Sequence, residues 1–354
     1  SVLVKKTPFT AEEIEALNNF TYKMSFETVY YHGIEKRENN LAEQLEAYTA
    51  KYDRIPENDV MGDEVSRPMG ELYYHVIKYM LQGREGEIYD NYLFDITPTT
   101  DNRPYFTSYL KPDNIRMFLD KLDAVSEEWS YLLLVGTLLQ SVLFGIIIIV
   151  IPAIGARRSQ LKGARGKFGI ILYYSLLGIA YMLVEIFFIQ KLVFYLGNPV
   201  FSTSIVITSM LIISGVGSLS GSRLMKKPKR FILLAAAIVV VMMVLYMTVL
   251  PAVLQGSLGA PRIVKMIGAI IIITPAAFFM GMFFPTGLNV LAKNRSEMLP
   301  WAWGMNGAFS VTGSLLARYL AVQFGFRVLL LAALFVYAAA GLLFPVNLKK
   351  GKEA

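Results

Sequence analysis

Apolar and charged positions divide the chain near Trp129. Beyond it, long neutral runs alternate with short charged intervals, and about 18 apolar residues suffice to cross the hydrocarbon layer of a bilayer. The runs place seven membrane spans, at 131–154, 168–196, 200–222, 231–254, 263–291, 303–324 and 328–344. Before Trp129 the pattern is that of a water-soluble α/β segment. An apolar strand at 2–4 leads to a helix that starts after Thr10 as N-cap, with Glu12 and Glu13 in its first turn, and reaches about Met24. A second strand is expected at 27–31. Leu41, Leu45 and Tyr48, and then Leu72, Val76, Tyr79 and Met80, recur at helical spacing in 40–50 and 69–81. A charged loop separates these two helices, at 55–68.

The expected fold is therefore mainly α: a polytopic bundle of about seven transmembrane helices over 129–354, preceded by a small acidic α/β segment over 1–128. The turn-rich stretch Thr97-Pro98-Thr99-Thr100-Asp101-Asn102-Arg103-Pro104 joins them and ends in aromatics. Tyr105, Phe106 and Tyr109 suit either a membrane interface or an aromatic plug in the soluble core.

Charge gives the membrane unit a direction. The segment before Trp129 holds 14 basic and 24 acidic residues, against 20 and 3 from Trp129 onward. Arg157, Arg158, Lys162, Arg165 and Lys167 follow the first span, and Arg223, Lys226, Lys227, Lys229 and Arg230 follow the third. The intervening loops carry only Lys191, Arg262, Lys265 and Arg327. The positive-inside rule then puts the rich loops and the C-terminus in the cytoplasm and the acidic segment on the other side, in a bacterial inner membrane. The net charge of +7 sits in short loops and not on a folded basic face, so no nucleic-acid partner is expected. The chain has no cysteine, which excludes disulfides, iron–sulfur ligation and cysteine zinc sites. His32 and His75 lack ligand spacing, so no metal site is expected. The start at Ser1, without an initiator Met or a signal pattern, reads as the C-terminal piece of something longer.

From Tyr173 onward a series of short motifs resembles the membrane unit of fused major-facilitator/spermidine-synthase-type proteins. These are Leu183-Val184-Glu185-Ile186 with Gln190-Lys191, Leu196-Gly197-Asn198-Pro199, Ser214-Gly215-Val216-Gly217-Ser218, Gly221-Ser222-Arg223, Gly281-Met282-Phe283-Phe284-Pro285-Thr286-Gly287 and Pro300-Trp301-Ala302-Trp303-Gly304-Met305-Asn306-Gly307. Thr100-Asp101-Asn102-Arg103-Pro104-Tyr105-Phe106 is similar to the segment that follows the synthase-like domain in such proteins. The resemblance implies that 1–33 is the end of a partial Rossmann-like, synthase-like domain. It also implies an S-adenosylmethionine derivative as cofactor if an upstream domain supplies a glycine-rich turn and acidic residue, which 1–128 lacks. Aminopropyl transfer by this chain alone is not expected.

Several side chains invite a role inside the bundle. Glu185 is the only acid within the spans, and an ionised carboxylate there costs several kcal/mol unless paired or wet. At about 1.5 Å per residue, Arg318 lies at nearly the same depth, so an interhelical Glu185–Arg318 pair is expected, either coupling transport or fixing helix register. Lys191 should snorkel to the interface. Trp301 and Trp303 fit interfacial anchors, and Asn289 and Asn306 would line a polar cavity if the bundle has one. Gly215, Gly217 and Gly221 should let another helix approach closely, and Pro275 and Pro285 should kink the fifth span. No catalytic residue is assigned. The reading that follows is a membrane anchor or scaffold for a soluble domain or larger assembly, partnered by lipid and by other protein. The alternatives are a transporter half of major-facilitator type, and an aminopropyltransferase completed by an upstream region or partner.

Overall fold

The computed structural model describes residues 2–24, 26, 28–34, 69–92, 94–105, 111–114, 129–155, 167–223 and 228–345. It falls into two compact units. One comprises Ser1–Pro98 with Phe106–Tyr131, and the other Thr99–Tyr105 with Leu132–Ala354.

The first unit contains α1 (Ala11–Lys23), α2 (Met69–Leu81) and α3 (Glu85–Asn91). Thr10 caps α1 as expected: its hydroxyl accepts from the Glu13 N–H, and the Glu13 carboxylate accepts from the Thr10 N–H at 2.9 Å. Lys5 Nζ donates to both Glu13 oxygens at 2.7 Å. This contact, then the bond from the Thr10 N–H, holds the Glu13 carboxyl below its ordinary 4.5. A lowered carboxyl pKa stabilises the fold above the unfolded-state value and is lost as pH falls through the folded-state one. Protection of the Ile14 amide, which bonds Thr10 O at 3.0 Å, should hold near neutrality and decline below about pH 4.5. In Lys5→Ala the folded-state value moves back toward 4.5, so the decline should be smaller and complete at a higher pH, as hydrogen exchange followed by NMR would show.

The strands expected at 2–4 and 27–31 are not strands among the described residues. A strand exists only when a neighbour takes its N–H and C=O groups, and Val2, Leu3 and Val4 are exposed and pair with no strand among the described residues. The helix expected at 69–81 forms; the one expected at 40–50 and the loop at 55–68 lie outside the described residues. His75 is buried with its ring edge-on to Tyr74, and His32 is exposed.

The second unit is built from α4 (Trp129–Gly155), α5 (Lys167–Leu196), α6 (Pro199–Arg223), α7 (Pro228–Thr248), α8 (Leu250–Gly256), α9 (Arg262–Met280), α10 (Phe283–Asn294), α11 (Leu299–Phe324) and α12 (Phe326–Leu342). Among the described residues, four stretches are long and apolar enough to cross a membrane: Phe168–Leu196, Pro199–Gly221, Pro228–Thr248 and Arg262–Asn294. The chain thus has the makings of an integral membrane protein. The other three expected spans coincide with α4, α11 and α12, of which Tyr131–Ile147 and Phe326–Leu342 are shorter apolar helices, while α11 includes Arg318 and Gln323.

Helix α5 is the hub. Tyr173, Tyr174, Leu183, Val184, Phe187 and Phe188 are all buried on one broad face of it, and Ile179, Met182, Glu185 and Ile186 on the opposite face are half-buried. It packs most extensively on α11 and α12 and also meets α6 and α9. The fourth expected span, 231–254, is interrupted at Val249, where α8 restarts with Pro251 in its first turn. The fifth, 263–291, breaks at Gly281–Met282 between α9 and α10. Pro285 explains that break: it has no N–H to return to the Gly281 carbonyl, and its ring crowds the same group. Helix α9 runs on through Pro275.

Candidate functional site

Helices α11 and α12 are separated by Gly325 alone. So tight a reversal leaves the last carbonyls of α11 and the first N–H groups of α12 without partners in their own helices. The Thr99–Tyr105 segment supplies them. Thr100 and Arg103 close a turn through Arg103 N–H to Thr100 O at 2.9 Å and Thr100 N–H to Arg103 O at 3.2 Å. At its tip, Asn102 O accepts from the Phe326 N–H at 2.8 Å and Asn102 Oδ1 from the Arg327 N–H at 2.9 Å. Asn102 therefore serves as an N-cap for α12 from more than two hundred residues away in sequence. With Phe326 N–H taken, the Val322 carbonyl is free for Arg103, whose Nε donates to it at 3.0 Å.

The flanks of the turn are tied to other helices of the same unit. Lys191 Nζ, near the end of α5, donates to Asp101 O at 2.9 Å and lies 5.4 Å from the centre of the Phe326 ring. Gln255 Nε2 in α8 donates to Asp101 Oδ2 at 3.0 Å. The Tyr105 hydroxyl donates to Gln190 Oε1 at 2.5 Å, and its ring meets Phe326 edge-on at 6.1 Å. Burial pushes the Tyr105 phenol well above its ordinary value, against a smaller opposing pull from the Arg318 guanidinium, so it stays a hydrogen-bond donor at physiological pH. The site has the chemistry of a clamp: helix ends satisfied by a turn that is held at three points by two other helices.

The expected intramembrane residues are distributed differently. Glu185 and Arg318 lie on parallel helices at matching depth, since Asn306 Nδ2 reaches Tyr174 O at 3.4 Å and Gly313 packs on Ile179. They nevertheless make no ion pair: Arg318 is exposed with Tyr105 as its electrostatic neighbour, while half-buried Glu185 has Tyr181, one turn earlier, with Ser214 beside that phenol. Equal depth is not equal azimuth, and the two head groups leave their helices in different directions. Lys191 does not simply snorkel, because its ammonium is engaged by the Asp101 carbonyl. Asn306 uses its amide to join α11 to α5, and Asn289 is half-buried.

Of the three glycines in α6, Gly217 packs against the Phe278 backbone of α9 and Gly221 lies 3.3 Å from Thr286 Oγ1, measured from an added Cβ. Gly215 faces open space, because two residues along a helix is half a turn. Trp303 is exposed and sits edge-on to Phe284 at 4.8 Å, as an interfacial aromatic can; Trp301 is half-buried against the core. Phe106 and Tyr109 lie outside the described residues. Sequence reading missed the clamp partners Gln190, Gln255 and Val322. The one signal for them was the Asp-Asn-Arg-Pro turn itself, whose side chains commonly cap backbone. Compared with known proteins, the chain matches no family model, no curated protein and no solved structure.

Proposed function

We propose that this chain is a membrane anchor: its helical bundle holds, through the segment Thr99–Tyr105, an extramembrane segment or the larger assembly that segment belongs to. The observation that carries this reading is the clamp. Thr99–Tyr105 is flanked on both sides in sequence by the other unit, yet it packs as part of the membrane unit. Two covalent passages of the chain are thereby secured to the bundle by hydrogen bonds to α5, α8, α11 and α12. A flexible tether needs no such bonding. The seven-span arrangement and the bacterial inner membrane belong to this reading. Loop charge supports an orientation with the clamp on the non-cytoplasmic side: its end of the bundle carries Lys191, Arg262, Lys265 and Arg327, whereas Lys167, Arg223, Lys229, Arg230, Lys293 and Arg295 mark the other.

The test is to cut the chain without unfolding it. A protease site is inserted within 115–128 of the full chain, in membranes. After cleavage, the fragment containing residues 1–105 should stay with the membrane pellet, retained by the clamp. In the triple variant Asn102→Ala, Arg103→Gln, Tyr105→Phe, it should pass to the supernatant. Release of the unmodified fragment on cleavage would overturn the anchoring role.

A further inference from the structure

The same end of the bundle has a cleft of about 370 Å³ lined by Leu196, Gly197, Asn198, Arg262 and Lys265. Its charged lining is entirely cationic. Among the described residues neither Arg262 nor Lys265 has a carboxylate within 4 Å; each lies against an aromatic ring, Arg262 4.0 Å from the Phe201 centre and Lys265 5.5 Å from that of Tyr195. Rings position a cation without neutralising it. Asn198 commits its Oδ1 to the N–H groups of Val200 and Phe201, which leaves its NH₂ as a further donor. The first turn of α9, which carries both cations, has no side-chain cap. Leu196 ends α5 and Arg262 begins α9, so the cleft lies at the ends of membrane-crossing stretches. Val200, Ile263 and Val264 close by in sequence are exposed apolar residues.

We infer that this cleft binds a phosphate-bearing anion, with Arg262 and Lys265 as its charge partners and Asn198 as a neutral donor. Two cations and an amide, without an acid, suit a phosphate and reject a metal ion or an amine. A volume of this size accommodates one headgroup or one free phosphate ester. The level of the cleft and the apolar side chains beside it fit a phospholipid, whose acyl chains would lie along the helices. A soluble phosphate compound would use the same donors. This inference does not depend on the anchoring role.

Native mass spectrometry of the full chain in detergent, titrated with phosphatidylglycerol, reads the tightest lipid-binding event directly. Each cation near a membrane surface is worth about fivefold in affinity for an anionic lipid, so Arg262→Gln with Lys265→Gln should weaken that event about twenty-five-fold. The exchange variant Arg262→Lys with Lys265→Arg keeps both charges and should bind like the unmodified protein. Its folded state also separates a lost site from a lost fold. Inorganic phosphate in millimolar excess then distinguishes the sources. Displacement of the lipid assigns a soluble phosphate ligand, no displacement assigns the lipid headgroup, and either upholds the anion site. Equal lipid affinity in the unmodified and doubly neutralised proteins would overturn it, as would the same loss in the exchange variant.

Discussion

Gly217→Leu should strongly destabilise the bundle, while Gly215→Leu, on the same helix, should leave it intact. The two positions differ in what a side chain would meet. A Cβ at Gly217 runs into the backbone carbonyl of Phe278, and one at Gly281 runs into that of Ser214. Helix α6 therefore touches α9 and the break that follows it backbone to backbone, at Gly217 against Phe278 and at Ser214 against Gly281. Flexible side chains can rotate away from an intruding methyl, but a helix backbone must shift as a whole. Overpacking a core with extra methylenes costs about 1–3 kcal/mol, and the rigid obstacle here places Gly217→Leu at about 3 kcal/mol or more. That is a large part of the roughly 5–15 kcal/mol that holds a domain together. Lipid offers no compensation, since helices in a bilayer associate through close packing and not through exclusion of water. Gly215 has no atom within 4 Å of the added Cβ and is exposed, so leucine there merely adds apolar surface toward lipid. Melting in detergent, with monodispersity by size exclusion, checks the pair. If the two leucine variants melt together, the close approach of α6 and α9 is wrong. Gly281→Leu should resemble Gly217→Leu, and the double variant should be less than additive, because both open one interface.

These positions mark the limit of what sequence can give. Apolar runs located the four stretches that are long and apolar enough to cross a membrane, because lipid requires apolar surface and internal hydrogen bonding over a fixed length. The capping box at Thr10 and Glu13 was legible because it needs only two residues three apart. Whether Gly215 or Gly217 faces α9 was not, since both satisfy the same small-residue pattern and only the azimuth of α6 decides between them. Glu185 and Arg318 illustrate the same limit: counting residues along two helices gives a depth and leaves the rotation of each helix open. Strands at 2–4 and 27–31 were inferred from β-branched and aromatic residues, but pairing is a property of two segments and no partner is found among the described residues. The clamp was least legible of all. Its acceptors and donors are largely backbone groups of α11 and α12, which every sequence possesses, and the need for them arises only because Gly325 brings two helix ends together.

That glycine gives the second large effect: Gly325→Ala should release Thr99–Tyr105 from the bundle. Gly325 has φ +86° and ψ 175°, a region that side-chain-bearing residues avoid at about 1–3 kcal/mol. An added Cβ would also lie 2.8 Å from Asn102 O and against the Asn102 amide nitrogen, the residue whose two oxygens accept from Phe326 and Arg327. Relief of the strain and retention of the cap are therefore incompatible. Losing the cap adds about 1 kcal/mol, giving about 2–4 kcal/mol in all. Asn102→Ala by itself should cost only about 1 kcal/mol, because its backbone carbonyl still accepts from Phe326. Hydrogen exchange in lipid nanodiscs resolves the outcomes by position. In Gly325→Ala, protection should fall at Arg103, Phe326 and Arg327 together, while amides in the middle of α5 stay protected. In Asn102→Ala the fall should be confined to Arg327. The double variant should cost less than the sum of its parts, since Gly325→Ala has already displaced the side chain that Asn102→Ala removes. Strict additivity, or unchanged protection at Arg103 in Gly325→Ala, would mean that the turn is held without the helix ends, and the physical basis of the anchor would have to lie in its contacts with Gln190, Lys191 and Gln255 instead.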